Sequence, residues 1–547
     1  MSFFSWEKGK NLKNGFTLVE LLAVIVVLAI ILIIAVPGVF GIIQQSKEKA
    51  QQQQREMIEE AGRLYVTTDP DVVWTGQETK MTVVTLDMLQ SSGYLDKKIV
   101  DPKTNKEITC AKIIAKKRGR NFEYQTEFCE QVNSSPRLSS NMIPIVYKDN
   151  KWVKADYMNK DNNWYNYGEQ RWANMATVTE TTRDAYKKAD IGSEIKMDDI
   201  NTMFVWIPRF QYKLWNVSGE DSIVGNENLA GDHMIDVRLE DTSTPKSNGS
   251  QNGQWLTHPA FTLNGQELEG FWMAKFEMGY TGTSDIEQIP VEQDYDKLVV
   301  KPNVSSWYSQ NMTHIIQRIS KMSDGTNQFG FTKVEDPHLA RNMEWGAMVY
   351  LTYSQYGKAL NPNYSLDERE VRVNNYHYYM TGCGANVQNE PWIDTCNSYE
   401  TANGQAASTT GNITGVYDTS GGVWDAVAGI MYDESGQNVL VGESGFEQEE
   451  LNGLAFTGNY FDLYKYSSDL YRRDRGHLGD ATTEMGSGIS IIYRTAWWDD
   501  NATFPEPLRP WVIRGSSAFS TTDIAGPTAY YLWNGEHSDV TGRIVVT

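Results

Sequence analysis

Lys8, Lys10 and Lys13 lead into the pair Gly15-Phe16, with Glu20 four residues beyond, and here residue types and spacing specify a chemistry. Hydrolysis between Gly15 and Phe16 would create a new α-amino group on Phe16, one helical turn from the Glu20 carboxylate. A carboxylate at the centre of a membrane helix costs roughly 2.5–3.5 kcal/mol on insertion scales, so its presence points to a partner. When such helices bundle, the Phe16 amine of a neighbouring copy supplies the matching charge.

The element that must position these groups is the apolar run behind them. Leu21 to Val36 contains no polar side chain, and Pro37 to Ile43 add no charge, so the segment is long enough to span a bilayer with its basic end in the cytoplasm. A secretory signal places its cleavage site after the apolar core. Here Gly15 precedes it, so cleavage would leave the hydrophobic helix in the mature chain. Pro37 removes a helical hydrogen bond and crowds the preceding turn, which predicts a bend. A plain signal anchor with an incidental Glu20 is the competing reading.

These residues resemble the type IV prepilin family: Gly15 before the scissile bond, Phe16 as first mature residue, Glu20 as the fifth, and Pro37 as the helix-weakening proline. The resemblance implies cleavage by a membrane prepilin peptidase, N-methylation of Phe16, and packing of the retained helices of many pilin subunits in a filament core. It also implies a single-pass cytoplasmic-membrane precursor and then an extracellular pilus.

At 547 residues, 40% of them hydrophobic and 12% aromatic, the chain can bury at least two cores. The net charge of −21 excludes a dedicated nucleic-acid binder, which needs clustered Lys and Arg. The basic run Lys116-Lys117-Arg118-Gly119-Arg120 reads as a solvated turn. The four cysteines form two local pairs, Cys110 with Cys129 and Cys383 with Cys396, and a disulfide within each pair is the expectation for an exterior protein, with free thiols as the alternative. Neither the cysteines nor the seven scattered histidines have metal-site spacing.

Beyond the apolar segment, Met57, Ile58, Ala61 and Leu64 recur at helical spacing and predict an amphipathic continuation packed on a small sheet. Strands are expected at Ile108 to Ala115 and Asn121 to Phe128. This order resembles a compact Gram-positive pilin head, giving a leader over 1–15 and a pilin-like unit over 16–131. The Ser, Asn and Pro stretch 132–142 reads as a linker, 143–202 as a β-rich lead-in, and 203–547 as a large loop-rich domain with helices near Met312 to Met322 and Arg341 to Tyr356.

Within that domain, Gly270-Phe271-Trp272-Met273-Ala274-Lys275-Phe276-Glu277, Asn342-Met343-Glu344-Trp345-Gly346-Ala347, the segment Gly415 to Asp425, and Val512-Ile513-Arg514-Gly515-Ser516-Ser517 occur in that order. They resemble the formylglycine-generating-enzyme (sulfatase-modifying-factor) branch of the C-type lectin-like fold. The expected fold class is therefore α+β: a long N-terminal pilin helix with a small β head, followed by a large loop-rich C-type lectin-like α+β domain. Trp206, Trp345, Trp424 and Arg514 are read as fold-defining.

The resemblance stops at the chemistry. The enzymes place catalytic cysteines after the Arg-Gly strand, whereas no cysteine follows Cys396 and no Gly-x-Ser-x-Gly elbow is present. The chain is expected not to be an enzyme and to need no cofactor. Acidic stretches such as Asp433-Glu434-Ser435-Gly436 match no complete calcium loop. What the resemblance leaves is a recognition surface for an extracellular glycan or protein, with Trp497, Trp498, Phe519, Tyr530, Tyr531 and Trp533 as candidate contacts, since rigid rings among small polar residues give contact area at low entropic cost. The expected role is a minor or tip pilin used in adhesion. The alternatives are a pilin-anchored enzyme and a secretion-system pseudopilin.

Overall fold

The computed structural model describes residues 46–547 except 48, 51, 70–71, 73–79, 97–98, 101–107, 109–110, 120, 129–135, 158–163, 219–233, 283–294, 324–327, 366–367, 375–378, 387–395, 448–449, 451–458, 471–475, 486–495, 518–524 and 537–538. The chain forms two compact units, one of residues 1–72 and 84–128 and the other of residues 73–83 and 129–547.

The first unit packs a helix, α1 (52–68), on β2 (Ala111–Arg118) and β3 (Asn121–Phe128); the sheet order is β1 (Lys80–Thr85), β2, β3, with the short α2 (Leu86–Ser91) following β1. Ile58, Ala61 and Tyr65 are buried on α1, and Ala111, Ile113 and Ala115 alternate on the covered face of β2. Gly62 allows the close approach, because a Cβ there would lie 2.7 Å from Ile113 Cγ1. The buried stripe differs from the expected one: Met57 and Leu64 are exposed and Tyr65 takes the inner position. The basic run is also corrected, since Lys116, Lys117 and Arg118 continue β2, paired with Glu123, Phe122 and Asn121. A two-stranded hairpin needs only the short turn at Gly119.

The second unit contains two principal sheets. In chain order its main strands are β4 (Ile143–Lys148), β5 (Lys151–Lys154), β6 (Asn174–Val178), β7 (Ile200–Pro208), β8 (Gly270–Ala274), β9 (His338–Leu339), β10 (Trp424–Met431), β11 (Asp462–Tyr464), β12 (Trp511–Arg514), β13 (Tyr530–Trp533), β14 (Val540–Gly542) and β15 (Ile544–Val546). The first sheet has the order β9-β15-β8-β7-β6-β4-β5. The lead-in at 143–202 is thus an integral half of this sheet, because β6 pairs along β7 from Asn174 opposite Val205 to Val178 opposite Ile200. The final strand, β15, lies one strand away from β7, with β8 between them.

The second sheet has the order β11-β10-β12-β13, with β14 added alongside β10. Among the helices that accompany the sheets are α3 (Glu180–Lys188), α4 (Met312–Ser320) and α5 (Asn342–Thr352). Every residue of α5 is buried, as expected of a helix apolar on all sides. Gly346 lets it pack against backbone, since a Cβ there would lie 2.0 Å from Gly479 O.

Candidate functional site

The second sheet places three of the six proposed recognition rings, Tyr530, Tyr531 and Trp533, and their burial differs. On β13 the covered positions are Tyr530 and Trp533, both buried, while Tyr531 is half-buried and stacks on Trp424 with ring centroids 5.7 Å apart. Trp533 donates its indole N–H to Glu536 O at 2.8 Å, and Tyr530 lies 5.1 Å from Phe504. Trp497 is buried against Trp215 and Tyr353. The expectation of exposed rings is therefore corrected for Trp497, Tyr530 and Trp533: burying their large apolar faces stabilises the core more than display would.

Trp498 and Tyr531 stay partly accessible. Trp498 and Asp499 both take the left-handed backbone conformation, each at φ 65°. Two adjacent non-glycine residues there store strain, a feature concentrated at binding sites. Phe519 lies outside the described residues, as do Cys110 and Cys129. Cys383 and Cys396 are joined by a disulfide.

Beneath these rings is a polar interior that the sequence reading did not foresee. Arg543 pairs with Asp425 at 2.7 Å, both fully buried, and its other N–H groups reach the carbonyls of Ala274, Tyr417 and Asp418. Glu277 accepts from Ser306 Oγ at 2.5 Å and from Val423 N, and Asp418 accepts from Asn374 and Gly382 N. Burial, reinforced by Asp418 and Asp425, pushes the Glu277 carboxyl well up. The network ties β8, the turn before β10 and the connection into β15 together. Gly422 in that turn has φ +71°, and a Cβ would meet Glu277 Oε1 at 2.7 Å.

A second group surrounds the start of α5. The Glu344 carboxylate accepts from Arg341 N and Nε and lies 3.3 Å from His338 Nε2. Burial works to raise its pKa, but Arg341 and His338 outweigh that and hold it at about 2. Asp462 caps the helix through Met343 N at 2.7 Å. Further along, Glu484 accepts from Tyr212 OH at 2.8 Å, and burial beside Asp480 pushes it up to about 7. Two buried lysines complete the picture: Lys275 donates to Ile413 O and Gly415 O, and Lys358 to Glu370 O and Ala406 O, pinning the loop between them. All of these contacts serve positioning. Among the described residues no cluster of three His, Cys, Asp or Glu could hold a metal ion. Asp433 instead bonds Ser435, Gln437 N and Asn438 in its own turn.

The processing and assembly residues Gly15, Phe16, Glu20 and Pro37 lie outside the described residues, so they are assessed by comparison. Residues 10–36 match the prokaryotic N-terminal methylation motif. The N-terminus is type IV pilin-like. That pilin-like segment takes in Gly15, Phe16 and Glu20 and most of the apolar run, and fits a membrane-anchored precursor processed by prepilin peptidase for pilin-type assembly. Among the described residues no helix is long and apolar enough to cross a membrane. No curated protein matches the chain.

The structure brings Trp424 and Tyr531 together, while Trp497 and Trp498 lie on a short turn outside the named strands. Of the residues missed, Arg543 and Asp425 carried a faint signal: charged side chains inside otherwise apolar strand patterns must find a buried partner.

Proposed function

We propose that this chain is a type IV pilus subunit, minor or at the tip, whose second unit is a non-catalytic recognition module for an extracellular glycan or protein surface. The observation that carries the reading is the match of residues 10–36 to the methylation motif, ahead of a large, separately packed unit. Displaying so bulky a module at every position of a close-packed filament would be sterically demanding, which favours a rare subunit. The resemblance of the second unit to the formylglycine-generating-enzyme branch of the C-type lectin-like fold rests on its sequence landmarks, and supports display of loops on a stable scaffold. The absence of cysteine after Cys396 supports a role without thiol oxidation. The contact residues we favour are Trp498 and Tyr531, the two proposed rings that are half-buried.

The same motif favours a second reading, a pseudopilin of a secretion machine. Location separates the two. Immunogold labelling of shed filaments should place the protein at tips, and labelling confined to the cell envelope would favour the pseudopilin. Maturation is tested by N-terminal sequencing of the surface protein. It should begin at Phe16, Gly15→Leu should abolish processing, and a start after Ile43 would remove the pilin reading.

A further inference from the structure

Arg514, at the end of β12, is completely buried, and none of its guanidinium nitrogens has a hydrogen-bond partner. Its nearest aromatic neighbours are Trp345 and Tyr530, with ring centroids 5.9 and 5.6 Å from Cζ. Buried charges are ordinarily paired or hydrogen-bonded, because an isolated one loses its hydration with nothing in return. Both oxygens of Asp480, and one oxygen each of Asp425 and Asp500, accept from other donors. Asp425, directly across on β10, gives Oδ2 to Arg543. Asp480 accepts from Tyr464 OH, His477 N and both N and Oγ1 of Thr482. Asp500 gives Oδ2 to Thr528 N and Oγ1.

We propose that Arg514 holds a small monovalent anion, of the size and charge of chloride, inside the second unit. The unpartnered groups nearby fit such a guest. Ser516, two residues on, is also buried with its hydroxyl unpartnered. The unpartnered acceptors are Oδ1 of Asp425 and Oδ1 of Asp500, and burial pushes these carboxyls up to about 6 and about 7. Below neutral pH they gain protons and become donors as well, so donors outnumber acceptors and a guest with only lone pairs is favoured over water. The charged and titratable groups felt by Arg514 are Asp480, Tyr464, Tyr530 and Asp500. With Asp500 protonated the anion is held more tightly, so affinity should increase as pH falls through 7.

The test uses the full-length chain in detergent, with bromide as a probe. Crystals soaked in bromide should show an anomalous peak within hydrogen-bond distance of the Arg514 guanidinium. In solution the unfolding midpoint should rise by a few degrees between about 10 mM and about 0.5 M chloride, with gluconate holding ionic strength constant, and more steeply at pH 5.5 than at pH 8. Arg514→Gln should abolish that dependence; because this variant could also unfold, the bromide experiment on the unaltered chain decides. Density at Arg514 without an anomalous signal means that water fills the site and overturns the proposal.

Discussion

The two units solve the same problem, burying a sheet, by opposite means. The first has an apolar interface between α1 and β2, with Ile58, Ala61 and Tyr65 against Ala111, Ile113 and Ala115, and its charge pair Arg63–Glu59 is at the surface. Residues 1–128 carry 17 basic and 15 acidic side chains. Residues 129–547 carry 32 basic and 55 acidic ones, together with 15 of the 17 tryptophans, and they bury Arg209, Arg514, Arg543, Glu277, Glu344 and Asp425. The difference teaches where each unit is vulnerable. An apolar interface tolerates small changes of shape by side-chain adjustment, whereas a buried ionic network fails when one member is removed.

The sharpest break of that contrast is Arg543→Ala. It leaves Asp425 buried without its partner and frees three carbonyls, so the second unit should lose about 3–5 kcal/mol. Urea unfolding followed by tryptophan fluorescence reports mainly on this unit, and a loss below about 1 kcal/mol would show that the network is not what holds it. Next in size is Gly346→Ala on α5, where the added Cβ meets the fixed backbone of Gly479 and Asp480. Overpacking against backbone should cost about 2–3 kcal/mol in the same measurement.

A third effect is pH dependence. Burial raises the folded pKa of Glu484 to about 7, as it does for Asp500, and Glu344 raises that of His338 against the opposing effect of burial. Groups raised in the folded state stabilise it below their unfolded pKa, and that contribution is lost as pH rises through the folded value. Glu344 acts oppositely, but its contribution is lost only as pH falls from the ordinary carboxylate range toward about 2. The buried bases Lys275, Lys358 and His258, whose folded pKa values are depressed by burial, act in the opposite sense, so the effect is read as a difference: the stability of Glu484→Gln relative to the unaltered chain should rise between pH 5.5 and pH 8, by on the order of 2 kcal/mol. A difference that stays constant over that window would contradict the assignment of Glu484.

The smallest effect sharpens the comparison from the other side. Gly62→Ala places a Cβ against the side chain of Ile113, which can move, and Ala gains about 1 kcal/mol of helix propensity over Gly. The net change should lie within about 1 kcal/mol of zero, read by circular dichroism of α1 together with a melting curve. A loss as large as that at Gly346 would mean that the first unit is no more forgiving than the second.

Legibility in the sequence followed the range of the interactions. The hairpin of β2 and β3 and the helices near Met312 and Asn342 were readable because periodicity and turn chemistry are local. The inner stripe of α1 was misplaced by a small rotation, since Leu64 and Tyr65 are both apolar enough and only the position of Ile113 chooses between them. The recognition rings were harder still. A Tyr or Trp reads alike in a core and on a surface, so composition could not distinguish buried Tyr530 and Trp533 from half-buried Tyr531.

By itself the sequence determined the N-terminal methylation motif, because that motif is a pattern of contiguous residues: Gly15-Phe16, Glu20 and the run behind them. It also set the acidity of the chain and its wealth of tryptophan. Only the tertiary structure decided that residues 143–178 complete the main sheet, that Arg543 meets Asp425 across 118 residues, and that Arg514 ends without a partner. The reason is physical: hydrogen bonds and charge pairs act over a few ångströms, and which distant residues come that close is fixed by how the strands cross, which no local pattern encodes.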